Sequence, residues 1–186
     1  MSRPHVTLKL ATSLDGRIAT ASGESRWITG EAARAEVHRM RAVVDAVMIG
    51  AGTARDDDPS LLARTEPAPA RQPMRVVLSA GLDIAPSGKL FAELEQSPLL
   101  IICASANPER GALFVAAGAL VETVAPGPVG GVDLAAALAV LGRADIGKVL
   151  VEGGGELAGA LLAENLVDRV EWMRAPLMLG AEARPA

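Results

Sequence analysis

Apolar residues along this chain recur in two patterns, every second residue in short runs and every third or fourth in longer ones. In residues 5–12, Val6, Leu8 and Leu10 share one face and Thr7, Lys9 and Ala11 the other, which predicts a strand with Lys9 opposite the large apolar face. Ala33, Val37, Met40 and Val44 then fall at helical spacing. They predict a helix over about residues 30–44, capped by Thr29, with Arg34, His38 and Arg41 on another face. Residues 45–50 read as a buried strand. The following Ala51-Gly52-Thr53-Ala54 and Arg55-Asp56-Asp57-Asp58-Pro59 read as a glycine-bearing strand end and an acidic loop. Further strands are expected over 74–79, 99–103, 119–124, the apolar run from Lys148 to Glu152, and 167–174, where Pro176 limits extension. Between them lie a helix opened by Asn107 and Pro108 and ended by Gly118, one capped by Asp133 and closed by Gly142, and one over 156–164. Asp15-Gly16 is a turn signal, and residues 19–26, 66–73 and 126–131 read as connections. Repeated alternation of strand and helix predicts an α/β fold, a largely parallel sheet with helices on both faces, in a single domain.

The stretch with the clearest chemical meaning runs from Lys148 to Leu157, where a strand ends at Glu152, Gly153, Gly154 and Gly155 follow, and a helix begins. The first N–H groups of a helix lack intrahelical acceptors and sit at the positive end of its dipole, and glycine lets an anion approach the main chain closely. A phosphate, most simply a dinucleotide's, is the expected guest; a tight ligand-free turn is the plainer alternative. The glycines are consecutive and late in the chain, which departs from the spaced dinucleotide fingerprint. Asp57 and Thr53, on a loop leaving another strand's carboxyl end, are further candidates, as is an arginine of the trio Arg34, His38 and Arg41 for an anionic substrate.

Composition removes competing chemistries. The chain has 186 residues, half of them hydrophobic, with a net charge of -4, enough to bury one core. The acidic balance and the absence of a basic run argue against nucleic-acid or membrane-surface binding, while fifteen Arg against three Lys still permit local phosphate contacts. Two His and one Cys, without paired spacing, leave no protein-built metal site, so the metal expectation is none. Cys103 lies inside an apolar run and is expected to be a buried small hydrophobe. There is no nucleophile elbow, no P-loop, no run long enough to span a membrane and no secretion leader, so a cytoplasmic location is expected. What remains is acid–base or hydride-transfer chemistry built from Lys, Asp, Glu and Trp. Trp27, one of four aromatics, lies off any core periodicity and either plugs a core or presents its ring to a nicotinamide or pyrimidine.

Several blocks together resemble the reductase domain of the bifunctional riboflavin-biosynthesis deaminase/reductase. They are Lys9-Leu10-Ala11-Thr12-Ser13-Leu14-Asp15-Gly16-Arg17-Ile18-Ala19, Gly23-Glu24-Ser25-Arg26-Trp27-Ile28-Thr29, Gly52-Thr53, Asp57-Asp58-Pro59 with Leu61, Val151-Glu152-Gly153-Gly154-Gly155, Val167-Asp168 and Ala175-Pro176-Leu177-Met178-Leu179-Gly180. The resemblance implies a dihydrofolate-reductase-like fold and NADPH-dependent reduction of 5-amino-6-(5-phosphoribosylamino)uracil to its ribityl product. It places Ala11, Trp27, Thr53, Asp57, Gly154, Gly155, Glu156, Leu157, Ala158, Gly159 and Ala160 at the cofactor. Ser25, Arg41, Leu61, Arg64 and Glu152 fall at the substrate, with Arg41 and Arg64 as forks for its phosphate. Lys9, Asp57 and Glu152 are the expected proton handlers while the sugar opens to an imine that receives the hydride. Arg75 and Ser79 are the residues expected to favour a 2'-phosphate. The resemblance further implies a homodimer and a separate deaminase upstream, since nothing here resembles that partner's zinc signature. Family members usually continue past the Leu-Gly block, so the chain is expected to be a single reductase domain over residues 1–186 lacking terminal strands. A pterin or folate reductase of the same fold, or a catalytically silent nucleotide-binding module, are the competing readings.

Overall fold

The computed structural model describes residues 3–22, 30–104, 107–128 and 130–185. Ser25, Trp27 and Thr29 lie outside them. The elements in chain order are β1 (His5–Thr12), β2 (Arg17–Ala19), α1 (Glu31–Ala42), β3 (Ala46–Gly50), α2 (Ala51–Asp57), β4 (Met74–Leu78), a 3-10 turn (Lys89–Phe91), β5 (Leu99–Cys103), α3 (Pro108–Ala116), β6 (Leu120–Thr123), α4 (Leu134–Arg143), β7 (Lys148–Val151), α5 (Gly155–Ala163), β8 (Arg169–Arg174) and β9 (Arg184–Pro185). Seven strands form one parallel sheet in the order β6-β5-β4-β3-β7-β1-β8.

Strand alternation divides the core between the two faces of that sheet. Val6, Leu8, Met48, Val76, Leu100, Val149 and Val151 pack on one face under Leu134, Leu138 and Leu141 of α4 and Ala158 and Leu161 of α5. Val47, Ile49, Val77, Leu99, Ile101 and Leu150 pack on the other, under Ala54 of α2 and Phe114 of α3, with Met40 of α1 against them. Near-continuous apolar strands are what a sheet covered on both faces requires. Cys103 is buried in this second layer as a free thiol.

Local signals set the helix ends. Asp133 accepts from the Ala136 N–H at 2.8 Å, and Asn107 accepts from the Arg110 N–H at 3.0 Å ahead of Pro108. By contrast, α2 and α5 start from Gly50 and Gly154, neither of which supplies a side-chain cap. Helix α1 likewise starts at Glu31, with Gly30 at its N-cap position.

Two elements differ from expectation. Residues 51–57 form α2 instead of a loop: Ala51, Ala54 and Arg55 favour helix, Ala54 is buried, and the acidic run marks the end, with Asp58 in the left-handed conformation at φ 39°. Residues 17–19, between the Asp15-Gly16 turn signal and the connection expected from Ala19 onward, form β2, which pairs antiparallel with β9. Asp15 organises the neighbouring C-terminal segment, accepting from the Ser13 hydroxyl at 2.5 Å and the Gly180 N–H at 2.8 Å, while Leu14 N–H donates to Leu177 O at 2.8 Å. Those hydrogen bonds hold the Asp15 carboxyl down at about 2.

The topology fixes where a ligand fits. Neighbouring strands β3 and β7 send their chains to opposite faces, β3 into α2 and β7 into α5. Such a reversal opens a crevice at the carboxyl ends of the strands, the usual ligand position in open α/β sheets.

Candidate active site

Register and alternation place the charged residues of this crevice. Thr7 is level with Leu150, and Leu150 packs on the face that α1 covers. Two residues further along each strand, Lys9 and Glu152 therefore point to the same side, towards α1. There Arg41, in the last turn of α1, clamps Glu152 bidentately: Nε donates to Oε1 at 2.6 Å and Nη2 to Oε2 at 2.8 Å. Both side chains are nearly buried, 12% and 9% exposed. Lys9 completes the triangle. Burial pulls its pKa below the ordinary lysine value, Glu152 pushes it back up and Arg41 lowers it again. A partly buried ammonium with a lowered pKa gives up its proton more readily than an ordinary lysine.

Beside this triangle runs the segment carrying Leu61 and Arg64. Leu61 is buried with φ 56°. Arg41 Nη1 donates to the Leu62 carbonyl at 3.1 Å, and the Gln72 amide both donates to Ala63 O and accepts from Ala63 N–H at 2.8 Å. The Arg64 side chain is exposed and, among the described residues, its one hydrogen bond is a long contact of 3.4 Å to the Ser60 hydroxyl.

The glycine turn forms the other wall. The Thr53 hydroxyl accepts from the Gly154 N–H at 3.1 Å, joining α2 to the start of α5 across the switch point. A Cβ on Gly153 falls 2.7 Å from Leu157 Cδ2 and 3.1 Å from its Cβ, so any side chain there requires Leu157 to shift. A Cβ on Gly154 meets nothing nearer than Thr53 Oγ1 at 3.6 Å. The second glycine thus borders open space below an uncapped helix N-terminus, an arrangement suited to a phosphate. Asp57 lies four residues, one helical turn, beyond Thr53. Partial loss of water raises its carboxyl above the usual range, and the Asp56 charge adds to this. The glycine cradle and the residues from the first third of the chain therefore share one crevice.

The sequence profile of the RibD C-terminal domain matches residues 4–186. This chain is a member of the RibD C-terminal domain family. The riboflavin biosynthesis protein RibD of Corynebacterium ammoniagenes is 39% identical over 182 residues, covering 97% of this chain and 45% of that protein. RibD of Acinetobacter baumannii superposes with a TM-score of 0.78 at 32% identity, over 98% of this chain and 49% of the other. A diaminohydroxyphosphoribosylaminopyrimidine deaminase/5-amino-6-(5-phosphoribosylamino)uracil reductase of Thermotoga maritima superposes with a TM-score of 0.76 at 31% identity, over 96% and 46%. The chain spans about half the length of the curated relatives it matches.

Other predicted residues of this RibD C-terminal domain separate by position. Ala11 is on β1, on the Lys9 face and partly buried. Gly155, Glu156 and Leu157 form the first turn of α5 at the mouth, and Gly159 and Ala160 are exposed. The side chain of Ala158 packs into the core instead. Ser25 and Trp27 lie outside the described residues. Arg75, expected near a 2'-phosphate, is fully buried at the amino-terminal end of β4 and donates to the Ser97 carbonyl through Nε at 3.1 Å and through Nη2. It points into the Val77 layer because alternate residues of β4 face that side, and its job is structural. Ser79 is buried as well, donating to Asp83 Oδ1 at 2.6 Å, while Arg55 pairs with Asp83.

Sequence reasoning missed Gln72, whose pairing with Ala63 carries no motif, and it left His38 without a role. A cavity of about 410 Å³ under α1, lined by Thr7, Met40 and Leu150 among others, shares no residue with the charged triangle. The triangle, not that cavity, sits where parallel sheets place ligands. Among the described residues no cluster of His, Cys, Asp and Glu suits a metal, and no helix is long and apolar enough to cross a membrane.

Proposed function

We propose that this domain catalyses the NADPH-dependent reduction of 5-amino-6-(5-phosphoribosylamino)uracil to the ribitylamino product. The observation that carries the reading is the Lys9–Glu152–Arg41 triangle beside the uncapped start of α5, in a member of the RibD C-terminal domain family. The cofactor's pyrophosphate fits below Gly154, Gly155 and Thr53, where a side chain on Gly154 finds free space. When bound, the reduced nicotinamide supplies the hydride, and the chain supplies position and charge.

Opening of the ribosylamine puts a proton on the ring oxygen and releases one from the exocyclic nitrogen to solvent, giving the imine; hydride then adds to the former anomeric carbon while the nitrogen takes a proton back from solvent. Lys9 is the proton donor to the sugar oxygen, since burial has already weakened its hold on that proton. Both Glu152 oxygens are occupied by Arg41, so Glu152 fixes Lys9 and the sugar hydroxyls electrostatically rather than shuttling protons itself. Arg41 is correspondingly committed, and Arg64 offers the open fork for the substrate phosphate. Asp57, with its raised carboxyl, is positioned to act along the cofactor wall.

The separate deamination belongs to other residues than these. A cytoplasmic homodimer completes the proposal.

Mixing the protein with NADPH and the ribosylaminouracil phosphate, and following loss of nicotinamide absorbance, tests it. Consumption that stops when Lys9→Met is substituted supports the reading. Turnover of dihydrofolate instead, or NADPH binding without consumption of either substrate, sinks it in favour of a pterin-type reductase or a silent nucleotide-binding module.

A further inference from the structure

The backbone of residues 62–64 belongs to neither strand nor helix, and its polar groups are met by side chains from elsewhere. Arg41 serves Leu62, Gln72 serves Ala63, and the Arg64 N–H donates to Nδ1 of His38 at 3.2 Å. The Arg64 N–H makes this hydrogen bond only while Nδ1 is an acceptor, that is, while the ring is neutral with its proton on Nε2. The same Nδ1 also stands 3.2 Å from the Leu62 carbonyl oxygen, a contact that becomes a hydrogen bond only when Nδ1 is protonated. One ring nitrogen therefore faces a donor and an acceptor at equal distance, and its protonation decides which of them it serves.

We infer that His38 is a positioning residue for the phosphorylated substrate: its neutral ring holds the Arg64 main chain so that the exposed guanidinium meets the phosphate, and protonation releases that hold. The inference rests on the reading of Arg64 as the phosphate fork. The surroundings keep the ring neutral at ordinary pH. Burial lowers its pKa, Arg41 on the same helix and Arg64 on the facing segment lower it further, and the Leu62 carbonyl and Glu152 at the end of β7 oppose them. Gln72 holds Ala63 from the other side, so loss of the His38 contact frees Arg64 without unfolding the segment.

Nitrogen-15 NMR of the labelled protein, with ribose 5-phosphate as the probe, tests this without turnover. Expected are the Nε2–H tautomer, a trans-hydrogen-bond coupling between the Arg64 amide and His38 Nδ1 at neutral pH, and loss of that coupling as the ring titrates. His38→Ala weakens ribose 5-phosphate binding roughly five- to tenfold, the factor one net hydrogen bond supplies. His38→Asn, whose side-chain oxygen accepts in place of Nδ1, restores binding. The phosphate titrates in the same range, so the His38 contribution is the extra acid-side weakening of wild type over His38→Asn. In turnover, the same variants change KM and leave kcat alone. An Nδ1–H tautomer at neutral pH, equal binding by wild type and His38→Ala, or identical pH profiles for wild type and His38→Asn overturns the inference. Absence of turnover with the binding results intact removes the proposed reaction and leaves the positioning role standing.

Discussion

Breaking the Arg41–Glu152 pair is the most demanding test of the site, because the two residues are 111 positions apart and meet through two charge-assisted hydrogen bonds. Glu152→Leu leaves the Arg41 guanidinium facing the Lys9 ammonium with no carboxylate between them, in a place where Arg41 is 12% exposed. Removing one member of a buried pair costs roughly 3–5 kcal/mol. For a domain of this size each kcal/mol moves Tm by about 2–4 °C, so a fall on the order of 10 °C is expected. Arg41→Met strands the carboxylate instead and costs a similar amount. Replacing both with apolar residues removes the stranded charge, so the double variant loses less than either single one, and the coupling is at least as large as one single loss, roughly 3–5 kcal/mol. Urea unfolding followed by circular dichroism at neutral pH measures all four proteins. Single losses that simply add in the double variant would refute the contact and the electrostatic reading built on it.

Lys9→Met should stabilise the fold while abolishing turnover, since it removes a desolvated ammonium. The sign with pH follows from the lowered pKa. Between that value and the ordinary lysine value of about 10.4, the unfolded chain binds more protons, so wild-type stability rises with pH there, and the variant loses this rise in a pH series of urea midpoints. Gly153→Ala drives a methyl group to 2.7 Å from Leu157 Cδ2 and is expected to cost roughly 1–3 kcal/mol in the same assay. Gly154→Ala, with 3.6 Å to its nearest neighbour, should leave the urea midpoint near wild type and raise the KM for NADPH; the reverse ranking would exclude the cradle. Arg75→Ala strands the Ser97 carbonyl in the interior and lowers thermal stability, but leaves the ratio of NADPH to NADH efficiency unchanged.

Local signals in the sequence located most elements. The alternation of Val6, Leu8 and Leu10 marks β1 over its observed length, and Asp133 and the Asn107-Pro108 pair mark helix starts that their side chains indeed cap. The side to which Lys9 points followed from the same alternation. Three consecutive aspartates concealed α2, because their poor helix propensity outweighed a single buried turn at Ala54 in so short a segment. The fate of Arg75 was implicit in its period-two relation to Val77, which turns it inward, away from any cofactor. No local rule brings Arg41 to Glu152, a contact that exists only once the strand order is known, and the meeting of Gln72 with Ala63 nine residues earlier in the same connection carries no motif. The same holds for His38, whose helical face was visible while the Arg64 amide it receives was not.

The position of β1 bears on the order in which the chain acquires its structure. Of the seven strands of this sheet it is synthesised first, yet its partners among the described residues, β7 and β8, come more than a hundred residues later. Strands β3, β4, β5 and β6 pair consecutively and can assemble as they leave the ribosome, whereas Val6 and Leu8 have no sheet neighbour until residues 148–174 arrive. Such long-range closure slows folding and prolongs exposure of an apolar edge during translation. Lys9 consequently reaches Glu152 at the last step, so the proposed site is assembled only when the first and last strands of the sheet have met.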